Sequence, residues 1–123
     1  MGKKVDGSFS QETKEIILER DGNQCIICGG PVNDIHHRRP RSAGGTSVEW
    51  VGSASNGISL CRAHHESIES NRDDAKAKGW LIPATWTQVT AMTQSCFYPV
   101  LGLRFYLDPD GAMREAPFDD PAF

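Results

Sequence analysis

The sequence predicts one small α+β domain. Three observations carry this reading. First, 123 residues suffice for one domain, taken as 1–123, and leave little room for a second. Hydrophobic residues make up only 38% of them, so the core is thin and a staple is useful. Second, two ligand pairs of equal spacing recur, Cys25-x2-Cys28 and Cys61-x2-His64. Third, helical stripes and short alternating runs are interspersed along the chain.

The elements follow in order. Residues 1–9 read as a polar, partly mobile lead-in. Ser10 can cap a helix from Gln11 to Arg20, with Glu12 and Glu15 at the end the dipole favours for acids. Phe9, Thr13, Ile16, Ile17 and Arg20 form its inward stripe, and Asp21-Gly22-Asn23 ends it. Gly29 and Gly30 let the chain turn tightly behind Cys28. Val32 to Arg38 reads as a short strand, residues 42–57 as a long loop anchored by Trp50, and Ile58–Leu60 as a second strand. A helix is expected from about His64 to Lys78, closed by Gly79. Leu101, Leu103, Phe105 and Leu107 alternate ahead of the turn sequence Asp108-Pro109-Asp110-Gly111, which predicts a C-terminal β-hairpin over 99–115.

The ligand pairs lie 33 positions apart and can enclose one tetrahedral Zn²⁺ as Cys25, Cys28, Cys61 and His64. His65 is an alternative fourth ligand, but the matched spacing favours His64. Cys96 stands alone in an apolar stretch and reads as a buried structural cysteine. Trp50, Trp80 and Trp86 read as anchors of core and loop.

Mean hydropathy of −0.44 and the lack of a long apolar run predict no membrane span. The N-terminus has no apolar segment of the secretory kind, so the chain reads as intracellular. A net charge of −3 argues against a generic polycationic nucleic-acid binder. The acid excess falls in the last third, so an anionic partner should meet the earlier part, where Arg38, Arg39 and Arg41 cluster.

Between the ligand pairs lie His36, His37 and Asn56, and His65 follows His64. The order Cys25-x2-Cys28, His36-His37, Asn56, Leu60-Cys61-x2-His64-His65 resembles the HNH endonucleases. The resemblance spans about residues 12–82, leaving 83–123 as an extension. The Gly79-Trp80-Leu81-Ile82 segment also resembles small HNH proteins of phages and prophages. The resemblance implies a ββα-metal (His-Me finger) centre of two antiparallel strands, a loop and a helix around one divalent cation. Carried over by position, His37 is the general base, His36 and His65 hold the catalytic cation, and Asn56 orients the loop. Three departures stand out: His36 where Asp is commoner, His64 where Cys is commoner, and Gly57 after Asn56 where an apolar residue is usual.

The chemistry is coherent. A neutral imidazole with a reference pKa near ~6.5 can take a proton from water. A cation can bind the scissile phosphate and stabilise the leaving oxygen. Two imidazoles suit Mn²⁺, Ni²⁺, Co²⁺ or Zn²⁺, and Mg²⁺ remains usable with substrate oxygens. Arg38, Arg39 and Arg41 are expected to clamp phosphates, Arg38 foremost, with Arg62 a weaker candidate. Glu66 and Glu69 share the helix of His65; Glu69 can reach the ion, though a solvated face is the simpler reading. The expected partner is DNA, and the phage resemblance points by analogy to a terminase or other packaging protein. The rival reading is a non-catalytic zinc module that binds nucleic acid or protein and has no use for His36, His37 and His65.

Overall fold

The computed structural model describes residues 5–42 and 45–117. The lead-in over 1–4 and residues 43 and 44 of the expected loop lie outside the described residues. The fold mixes helices with two antiparallel sheets.

Helix α1 spans Gln11–Arg20, as its cap and stripe predict. Ser10 Oγ accepts from the Thr13 backbone N–H at 3.1 Å, satisfying one of the otherwise orphaned donors of the first turn. Ile17 on the inward stripe is fully buried and packs with Phe9 and Ala54.

Strands β1 (Asp34–His37) and β2 (Gly57–Leu60) form a two-stranded ribbon. Its register sets His36 opposite Ile58 and His37 opposite Gly57. The connection between them is not a plain loop. It contains two single turns of 3₁₀ helix, Glu49–Gly52 and Ala54–Asn56, the second wholly buried. Gly57 marks the close approach of α1. A Cβ there would overlap Ile17 Cδ1 and lie 2.9 Å from Phe9 Cζ. A larger residue at this position would require the Ile17 and Phe9 side chains to shift.

The single helix expected over 64–78 is instead two. Helix α2 spans Arg62–Ser70 and α3 spans Arg72–Ala77, broken at Asn71. Ser70 and Asn71 are weak helix formers. The Asn71 side chain donates to Ser67 O at 3.1 Å, closing the first helix on itself. The second helix ends at Gly79, whose φ of +78° matches the expected left-handed cap. Serving also as a close-packing point, Gly79 leaves no room for a Cβ beside Ser95 O.

The C-terminal region is a three-stranded meander, one strand more than the expected hairpin: β3 (Cys96–Tyr98), β4 (Leu103–Leu107) and β5 (Met113–Glu115). The Asp108–Gly111 turn joins β4 to β5, with the Gly111 N–H donating to Asp108 O at 3.1 Å. The inward alternation holds only in part. Leu107 is buried, but Leu101 and Leu103 are exposed, and Arg104 turns inward instead. Its Nε donates to Ser95 Oγ at 2.8 Å and its Nη1 to Ala77 O at 3.2 Å.

Two buried cations tie these parts together. Arg20 makes a bidentate pair with Asp21 and also donates to Ala54 O and Gly57 O. Asp21 in turn accepts from the Tyr98 hydroxyl at 2.6 Å and from the Ser59 N–H at 3.0 Å, joining α1, β2 and β3. Arg38, directly after β1, is fully buried. Its guanidinium donates to the carbonyls of Gly79, Ser55, Ala91 and Gln94 at 2.7–3.0 Å. That placement overturns the expectation that Arg38 clamps a phosphate, because its donors are consumed holding three backbone segments against the ribbon.

Replacing Arg38 by Met strands four carbonyl acceptors in the interior. Urea unfolding of Arg38→Met is expected to show a loss of about 3 kcal/mol or more, whereas Arg39→Met changes stability by under about 1 kcal/mol.

Candidate metal and histidine centres

Two groups of side chains flank the β1–β2 ribbon. The first joins the knuckle after α1 to the start of α2. Cys25, Cys28, Cys61 and His64 place their ligand atoms within 4.8 Å of one another. The Cys28 and Cys61 sulfurs are 3.8 Å apart, far beyond a disulfide at about 2.0 Å. A tetrahedral ion with Zn–S bonds of about 2.3 Å separates its sulfurs by about 3.8 Å, so the spacing fits zinc. His64 presents Nδ1, 3.2 Å from Cys61 Sγ and 3.8 Å from Cys25 Sγ. These four residues form a Cys₃His group suited to a metal ion, with His64 rather than His65 as the fourth member.

Local structure explains the convergence. The Gly29 N–H donates to Cys25 O at 2.8 Å, and the Gly30 N–H points to Cys28 Sγ at 3.4 Å. Gly29 turns with a φ of +76°. Burial raises the Cys25 thiol pKa, but backbone N–H groups of Cys61, Cys28 and Ile27 outweigh it and leave the thiol below its usual value. A thiol so placed readily becomes a thiolate ligand. Cys61 occupies the N-cap of α2 without a side-chain capping bond, leaving its sulfur for the cluster.

The second group lines a cleft of about 250 Å³ formed by Ile35, His36, His37, Pro40, Arg41, His65 and Glu69. The structure thus brings together the three histidines singled out in the sequence. Each commits one ring nitrogen to an oxygen. His36 Nε2 lies 2.8 Å from Trp80 O, and His37 Nε2 lies 2.7 Å from Gly7 O. A carbonyl only accepts, so both Nε2 atoms carry the proton and both Nδ1 atoms keep a lone pair. His65 Nδ1 faces Asp34 Oδ2 at 3.1 Å, which leaves its Nε2 for other use. The His36 and His65 rings meet edge to face with centroids 5.0 Å apart.

Both members of the pair are held neutral. Burial pulls His36 down to about 4, against the opposing pull of the Trp80 carbonyl. Burial also lowers His37, with the Gly7 carbonyl opposing and the Arg41 charge adding to the effect. Phe9 stacks on His37 with centroids 3.9 Å apart and planes within 11°.

Asn56 is fully buried and acts on the backbone just beyond the pair. Its Oδ1 accepts from the Arg39 N–H at 2.8 Å, and its Nδ2 donates to Arg39 O and Val51 O. The loop is thereby fastened to the end of β1. Arg39 lies over Trp50, 5.7 Å from the ring centroid. Arg41 is exposed at the cleft and donates from Nε to Asp6 O at 3.1 Å. Glu69 borders the cleft but pairs with Arg72 at 2.7 Å. Arg62 is drawn to Asp34 at 3.0 Å.

Sequence reading missed Gly7 and Asp34 as partners of the histidines. Nothing in the sequence marks Gly7, whose carbonyl reaches His37 across 30 positions. Asp34 had a usable signal: residues i and i+2 of a strand share a face, which sets Asp34 beside His36.

Comparison with protein-family models, curated proteins and solved structures gives no match for this chain. Among the described residues, no helix is long and apolar enough to cross a membrane.

The Cys₃His geometry predicts one Zn²⁺ per chain by native mass spectrometry and none in Cys61→Ala. Structural zinc contributes binding energy on the order of 10 kcal/mol, so a strong chelator should unfold the wild-type domain at moderate temperature.

Proposed function

We propose that the chain is a metal-dependent endonuclease of the HNH type, hydrolysing DNA phosphodiester bonds at the histidine cleft. One observation carries the reading: three histidines line one cleft, and each has one nitrogen fixed by an oxygen acceptor and the other unpaired among the described residues. A zinc-binding module needs only Cys25, Cys28, Cys61 and His64. The succession β1, β2, α2 accords with a ββα-metal centre.

His36 Nδ1 and His65 Nε2 are the atoms suited to hold a divalent cation. The two imidazoles and the open cleft fit such an ion with positions to spare for water and phosphate. When bound, the ion supplies charge neutralisation on the phosphate and stabilisation of the leaving oxygen. His37 removes the proton of the attacking water on Nδ1. The Gly7 carbonyl fixes its tautomer and accommodates the imidazolium that forms, as an acceptor does for any general-base histidine. Phe9 prevents the ring from rotating away. Asn56 fixes the backbone that follows. Arg41, and Arg39 on Trp50, remain to bind phosphates now that Arg38 is committed to the interior. A phage packaging protein as partner belongs to this reading only through the sequence resemblance.

Supercoiled plasmid incubated at low salt with Mg²⁺, Mn²⁺ or Ni²⁺ should be nicked or linearised by wild type. A zinc-loaded, folded His37→Ala should lose activity by about 100-fold or more. Equal cleavage by both proteins, or none by either with any cation, contradicts the reading.

The pH dependence has a definite sign. The base works when neutral, and its pKa lies below the ordinary ~6.5. The profile of kcat/KM should therefore rise with pH through a midpoint below ~6.5 and level off above it. A midpoint above that value assigns the limb to another group.

A further inference from the structure

We propose that Asp34 is the positioning residue of the second cation site, fixing His65 so that Nε2 is the ligating atom. This deepens the proposed function and rests on its assignment of His36 and His65 to a cation.

The argument begins with proton count. A neutral imidazole has one N–H, and an acceptor beside one nitrogen places the proton there. Asp34 Oδ2 lies 3.1 Å from His65 Nδ1. Nε2 then keeps the lone pair that a metal ion requires. For His36 and His37 this selection is made by backbone carbonyls. Among the described residues, only His65 of the three is oriented by a charged group.

Asp34 is itself held in place. Arg62 Nε donates to Oδ2 at 3.0 Å and Nη2 to Oδ1 at 3.4 Å. The Arg62 backbone N–H is bonded to Asn33 Oδ1 at 2.9 Å. Arg62 opens α2 between Cys61 and His64, so its largely exposed guanidinium links the carboxylate to the helix that carries His64 and His65.

The surroundings separate orientation from ligation. The cleft that holds His36, His37, His65 and Glu69 does not include Asp34. Asp34 borders a neighbouring hollow with Lys14, Leu18 and Val32. His65 and Ile35 belong to both spaces. His65 therefore borders both spaces, and Asp34 meets its Nδ1 edge from the hollow outside the cleft. A carboxylate behind a histidine ligand raises the basicity of the ligating nitrogen, and its loss typically weakens metal affinity ~10–100-fold.

The test uses zinc-loaded protein and Ni²⁺ as the probe. Long-range ¹H–¹⁵N spectra of the histidines before Ni²⁺ addition report the His65 tautomer, and isothermal titration reports Ni²⁺ affinity. The expected result is a Nδ1–H tautomer in wild type, a mixed population in Asp34→Ala, and Ni²⁺ binding weakened ~10–100-fold. Asp34→Asn, which still offers an oxygen acceptor, should recover the tautomer. The side chains of Asp34 and His65 are 25% and 39% exposed, so these variants should retain zinc and fold. If Asp34→Ala keeps the wild-type tautomer and binds Ni²⁺ as tightly, Asp34 is only a surface partner of Arg62 and the proposal falls. If wild type takes up no second ion, the cation reading itself falls, and the proposal with it.

Discussion

The convergence of Cys25, Cys28, Cys61 and His64 is the constraint on which the rest of this fold depends. It closes a segment of 40 residues, counted from Cys25 to His64, that contains both strands of the ribbon and every histidine of the chain but one. Closing a loop of that length is entropically costly, and the two four-residue strands offer few hydrogen bonds in return. A metal ion held by the four side chains would offset that cost. The cluster places Cys61 at the head of α2, so the helix leaves the knuckle in a fixed direction and carries His65 to the edge of β1. The histidine cleft adjoins the Cys₃His group because α2 carries both His64 and His65.

The arginines next to the histidine pair show how location decides the use of a charge. Arg38, Arg39 and Arg41 look equivalent as a basic run. The chain buries the first, stacks the second near an indole and leaves the third at the cleft. Among the described residues Arg38 has no acidic hydrogen-bond partner, and four carbonyl dipoles surround it instead. That arrangement suits a thin core. One long side chain with five donors anchors residues 79, 91 and 94, which have little apolar surface to anchor themselves.

What could be read from the sequence follows the range of the interaction concerned. Helix α1 obeys local rules of capping and periodicity, and its limits are those expected. The ligand spacing and the Asp108–Gly111 turn are local too. The break at Asn71 is also local, but a weak propensity is easily outvoted by neighbouring helix formers, so it was not expected. Strand β3 was hidden because Cys96-Phe97-Tyr98 is a short apolar run without a visible period. The burial of Arg38 and Arg104 and the Gly7 contact to His37 depend on carbonyls far away in the chain. Carbonyls belong to every residue, and no residue letter announces which one will accept. Gly57 is the instructive case: the close approach of Ile17 and Phe9 to its Cα is a packing fact invisible without the fold.

The electrostatics of the cleft bear on what it is suited to receive. His36 is neutral down to about pH 4, and His37 is lowered in the same direction by its burial. A surface meant to attract phosphate by charge would hold its histidines exposed and readily protonated. His36 and His37 do the reverse, each hiding one edge of its ring behind a backbone carbonyl and keeping a lone pair on the other. Lone pairs attract cations, and the lowered pKa values of His36 and His37 keep theirs available at physiological pH. With a net charge of −3, the protein has little long-range attraction for a polyanion. Under the proposed function, most of the local positive charge at the scissile phosphate would come from the bound cation, with Arg41 beside it. Binding of the ion and binding of DNA would then be linked, each strengthening the other by the same factor.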